Sequence, residues 1–74
     1  MTTAERQAAL RDRGGIEVFA GRHRFNFSYL CQLIRMGRPM IGKEGSRTRA
    51  MAEAVAAEIG RPFDEVFPKE EATQ

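Results

Sequence analysis

Two helices can cross steeply over a short turn only where a small residue lets their backbones approach, and residues 19–35 are spaced for that arrangement. Phe19 and Ala20 fall inside a first helix, with Ala20 as the small residue, and Phe25 falls in the turn. Leu30 and Leu33, three apart, form the buried stripe of a second helix. The outward face of that helix is then Phe27, Ser28, Cys31, Gln32 and Arg35. A short helix with one apolar stripe and one open face is suited to offering the open face to a partner.

The flanking sequence predicts further helices. Thr2-Thr3-Ala4-Glu5 carries a capping-box pattern, and a helix from Ala4 to Arg13 follows, ended by Gly14-Gly15. Its apolar content is thin (Ala4, Ala8, Ala9, Leu10), so light docking or fraying is expected. Ile16 to Arg22 forms the next helix. Asn26 then caps a helix from Phe27 to Met36, which Gly37 stops. Pro39, Gly42 and Gly45 make Arg38 to Gly45 a loop. Ser46, or else Thr48, caps a helix that ends before Gly60, with Met51, Ala52, Val55, Ala56 and Ile59 recurring at three and four. Pro62 opens a short last helix carrying Phe63, Val66 and Phe67 into the core, and Pro68 closes it. The expectation is an all-α bundle of about five short helices over residues 1–68, with 69–74 a disordered tail.

Charge is unevenly distributed along the 74 residues. Residues 1–20 balance at zero; residues 21–49 hold seven Arg or Lys against Glu44 alone, a net +6. Residues 50–74 hold Arg61 and Lys69 against six carboxylates, a net −4. The positive charge therefore coincides with the two-helix unit and its flanking loops, as contact with a polyanion requires. A single Cys excludes an internal disulfide, no apolar run approaches the roughly 20 residues of a membrane span, and no signal-peptide core is visible. A soluble cytoplasmic protein is the expectation.

Residues 16–67 resemble the Cro/lambda-repressor-like helix-turn-helix domains. The resemblance rests on the spacing of Phe19, Ala20, Phe25, Leu30 and Leu33, and on Ile59-Gly60 followed by Phe63-Asp64-Glu65-Val66-Phe67-Pro68 as a closing segment. It implies a compact fold of about five helices and a small phage or bacterial transcriptional regulator that occupies an operator in double-stranded DNA. The second helix of the motif would lie in the major groove. Gln32 and Arg35 would read base edges, Gln favouring adenine and Arg guanine, with Phe27, Ser28 and Cys31 shaping the local fit. Arg22, Arg24, Asn26, Arg38, Lys43, Arg47 and Arg49 would contact phosphates. This chain departs from the family pattern where a glycine usually ends the first helix of the motif. Arg24 stands there, with His23 at a normally apolar position, which implies a looser turn and a rotated recognition helix. The Gly37–Gly42 loop departs too.

Other chemistries fit less well. Gly37-Arg38-Pro39-Met40-Ile41-Gly42-Lys43 has the spacing of a phosphate-binding loop, but Glu44 stands where Ser or Thr should hold magnesium, and no strand precedes it. Cys31 and His23 lack an orienting third group for nucleophilic catalysis, and one Cys with one His cannot build a four-ligand zinc site. No enzyme activity, cofactor, metal or small-molecule substrate is therefore expected. Two competing functions remain. One is a protein-interaction module, an antirepressor or host-protein inhibitor, whose apolar patch would comprise Phe27, Tyr29, Ile34, Met36, Met40 and Ile41. The other is an excisionase-like architectural DNA protein. A homodimer through Met40, Ile41, Val66 and Phe67 is a further expectation, since one such domain has a small footprint.

Overall fold

A computed structural model describes residues 1–42 and 45–69, and five α-helices follow one another along them. They are α1 (Thr3–Arg11), α2 (Ile16–His23), α3 (Phe27–Met36), α4 (Arg47–Ile59) and α5 (Phe63–Val66), with a 3₁₀ turn at Arg38–Met40 between α3 and α4. The described residues contain no strand, so the chain is an all-helical bundle. Lys43 and Glu44, the last two residues of the phosphate-loop pattern, and 70–74, most of the expected tail, lie outside the described residues.

Local capping chemistry starts three of the helices. The Thr2 hydroxyl accepts from the Glu5 amide at 3.2 Å while the Glu5 carboxylate accepts from the Thr2 amide at 2.8 Å, completing the capping box. The hydrogen bond from the Thr2 amide, with the Thr2 hydroxyl beside it, holds the Glu5 carboxyl below its ordinary pKa. Asn26 and Ser46 cap α3 and α4 by accepting from the Tyr29 and Arg49 amides. At the far end of α4, Gly60 takes a left-handed conformation at φ 82°. Arg24 does the same after α2, at φ 58° and ψ 37°, where an L side chain crowds its own carbonyl. The Phe25 amide bonds back to Ala20 and the Arg24 amide to Gly21, at 2.9 and 3.3 Å, and the Phe25 ring packs on Phe19. These are the hydrogen bonds of a glycine-ended helix, so the turn closes through Arg24 in the conformation that a glycine would supply.

The core comprises Leu10, Phe19, Ala20, Leu30, Leu33, Ile34, Met51, Ala52, Val55, Ala56, Ile59, Val66 and Phe67, all buried. The stripe that periodicity set on α4, Met51, Ala52, Val55, Ala56 and Ile59, is buried throughout. Two expectations need correction. Ile34, assigned to an exposed apolar patch, is fully buried, because it shares the inner face of α3 with Leu30 and Leu33. Val66 and Phe67, assigned to a dimer surface, are also fully buried, and Met40 and Ile41 pack against the core. Any self-association must use other residues.

The third correction concerns α1, which ends at Arg11 rather than Arg13 and docks through polar side chains instead of lying loosely. Arg6 is fully buried: its Nε donates to the Ile34 carbonyl at 2.9 Å, and its Nη1 donates to the Met1 and Val66 carbonyls at 2.9 and 2.8 Å. The guanidinium lies 5.0 Å from the Phe67 ring centroid. Thr3 donates to the Arg35 carbonyl at 2.7 Å, and Arg13 to the Ile59 carbonyl at 3.1 Å. The last carbonyls of a helix have no partner inside it. Side chains of α1 and the turn after it therefore satisfy the ends of α3 and α4, and Arg6 adds positive charge where the α3 dipole favours it.

Candidate nucleic-acid interface

With Leu30, Leu33 and Ile34 turned inward, Ser28, Gln32 and Arg35, spaced by four and three, are left exposed along the opposite face of α3. Phe27 and Cys31 flank this line on one side, Phe27 exposed and Cys31 half-buried. Phe27 lies at a shallow hollow shared with Gln7 and Arg11 of α1 and with Gly14 to Glu17. Tyr29 and Met36 flank it on the other side. The Tyr29 hydroxyl lies 2.6 Å from the Thr48 hydroxyl, which ties α3 to α4. Arg35 opens onto a second hollow beside Thr3, Glu5 and Pro39. All five residues expected to face a groove thus belong to one side of one helix, and four of them are exposed.

The residues expected to meet phosphate separate into two groups. Arg22 lies 3.3 Å from Glu58, and Arg49 lies 3.1 Å from Glu53 with its guanidinium over the Phe63 ring at 4.0 Å. Arg38 is 3.2 Å from Asp64, donates to the Phe67 carbonyl at 3.0 Å, and keeps only 17% of its side chain exposed. The carboxylates that offset these three cations come from the acidic C-terminal half of the chain. Arg24 and Arg47 are exposed and meet no carboxylate among the described residues. Lys43 lies outside those residues.

Arg24, Asn26 and Arg47 share a hollow beneath the turn, together with His23, Phe25, Tyr29 and Met51. His23 is exposed, and its ring stacks on Phe25 at 5.3 Å and 12° and leans on Phe19 at 4.5 Å. That packing accounts for a histidine at a position expected to be apolar: its flat face serves as an aromatic surface. The hollow was not visible as a unit in the sequence. Two signals pointed to it, an arginine at a helix end that suits glycine and a first turn of α4 that holds Arg47 and Arg49 but no acid.

Among the described residues no group of three or more His, Cys, Asp or Glu could hold a metal ion. No described helix is long and apolar enough to cross a membrane. No family model, curated protein or solved structure matches the chain.

Proposed function

We propose that this protein binds double-stranded DNA sequence-specifically, with α3 in the major groove, as a small transcriptional regulator of the Cro/repressor type. The observation that carries the reading is the outward line Ser28, Gln32 and Arg35 on a helix whose opposite face is locked into the core. Gln and Arg are the side chains that pair bidentately with adenine and guanine edges. Arg24, Arg47 and Asn26 beside the start of α3 suit the phosphates that border such a groove. Occupying an operator, the chain would exclude polymerase or a competing regulator.

A second reading is favoured by one specific observation. Of the four large apolar side chains left exposed among the described residues, three lie on α3: Phe27 (46%), Tyr29 (39%) and Met36 (52%). An α3 that docks onto a protein surface would use them, with a partner in place of DNA.

Competition binding on genomic fragments at two or more salt concentrations tests both. Gln32→Ala and Arg35→Ala should each cost roughly 1–3 kcal/mol on the preferred site and little on random DNA, because base-edge hydrogen bonds are lost. Lys43→Ala should weaken all sequences alike and lower the salt slope by about one unit. If the wild-type chain ignores duplex DNA even at low salt, the interaction-module reading takes its place.

A further inference from the structure

The hollow beneath the turn combines several features that favour an anion. It lies where two helices begin: Asn26 is the N-cap of α3 and Arg47 the first residue of α4. Neither helix has an acidic residue in its first turn to offset the partial positive charge of its N-terminus. By contrast, the C-terminal carbonyls of α3 are satisfied internally by Arg6 and Thr3. No carboxylate lines the hollow among the described residues, while two guanidiniums and an imidazole do.

Both arginines also occupy positions that local structure disfavours. Arg24 holds a left-handed conformation that glycine adopts freely, and Arg47 sets a cation at the positive end of a helix dipole. An anion between them would offset the charge that Arg47 adds to the helix end, and would give the Arg24 guanidinium a partner. The floor, Phe25 and Met51, is apolar and lowers the local dielectric, which strengthens a charge-assisted hydrogen bond.

We infer that this hollow is a site for one phosphate group, clamped between Arg24 and Arg47, and that Arg24 replaces the conformationally easier glycine because its guanidinium supplies half of the clamp. The inference rests on the DNA-binding reading for the source of that phosphate, a backbone phosphodiester flanking the groove that α3 enters. The hollow's own affinity for phosphate is independent of it.

The test has two arms. In the first, inorganic phosphate is titrated into the full chain while the arginine Nε–Hε resonances are followed by NMR. Saturable shifts of Arg24 and Arg47 that leave Arg11 and Arg61 in place are expected. In the second, duplex binding and thermal unfolding are measured for Arg24→Gly, Arg24→Asn and Arg47→Ala. Glycine and asparagine both tolerate the left-handed conformation, so the melting midpoint should stay or rise for the first two. Each of the three should lose roughly three- to tenfold in affinity for any duplex, with a salt slope lower by about one unit. Uniform shifts of all arginines, or duplex binding by the variants equal to wild type, overturn the inference and leave the DNA-binding reading standing. Selective phosphate shifts in a chain that binds no duplex keep the clamp and remove the DNA-binding reading instead.

Discussion

Arg6 shows how far one side chain can depart from what its type suggests. An arginine on a helix poor in apolar residues reads as solvated, yet this one donates to three carbonyls from three separate parts of the chain and lies against the Phe67 ring. Burying a guanidinium is tolerable only because its donors are used. Arg6→Met keeps much of the volume and the contact with Phe67 but strips the Ile34, Met1 and Val66 carbonyls of a donor. Each buried acceptor left unpaired costs on the order of 1–3 kcal/mol, so a loss of about 3 kcal/mol or more is expected in urea denaturation. A loss below about 1 kcal/mol would mean that water replaces the guanidinium and that α1 docks by its apolar residues alone. Arg24 is the complementary case, a residue whose backbone is costly and whose side chain is exposed. Its position was legible as a departure from a glycine-ended helix, whereas the left-handed geometry that closes the turn around it was not.

At the scale of the element, α3 is the helix whose limits, cap and buried stripe follow most directly from its sequence. Asn26 caps it, Gly37 ends it, and Leu30 and Leu33 face inward. Ile34 was misplaced because a three-residue spacing defines only the centre of a stripe, while the neighbouring helices set its width. Here α1 and its Arg6 cover the flank that Ile34 occupies. The cap gives a prediction that separates stability from electrostatics. Asn26→Ala removes the acceptor of the Tyr29 amide and should cost about 1 kcal/mol. Asn26→Asp caps equally well and should preserve the unfolding midpoint, while placing a carboxylate in the basic hollow and depressing duplex affinity. An Ala variant as stable as wild type would show that α3 is held without its cap, by its core stripe and by Thr48, Arg6 and Thr3.

The described residues measure 31 × 23 × 19 Å along their principal axes, less than the roughly 34 Å turn that separates half-sites in a duplex. Among these residues α1 closes the end of α3, Arg13 in the turn after it closes the end of α4, and the last helix with its cap places Val66 and Phe67 against Arg6. No helix has an independent core, so unfolding should be a single cooperative event. Far-ultraviolet circular dichroism and the near-ultraviolet signal of Tyr29, beside Thr48, should give coincident transitions. Leu33→Asp should abolish both together, since it buries an unpaired charge at the centre of the bundle. Separate transitions, with Tyr29 released before helicity falls, would divide the chain into independent units.

The helices, their caps and the outward line of α3 were determined by the sequence itself, because each depends on residues three to four apart that the covalent chain brings together. Tertiary structure alone decided which charges remain available. Glu58 reaches Arg22 across 36 residues, Asp64 reaches Arg38 across 26, and Arg6 is drawn inside by Val66, 60 residues away. Net charge counts all these cations alike, whereas Coulomb attraction and burial act through space, and only the folded chain leaves Arg24 and Arg47 facing the same hollow.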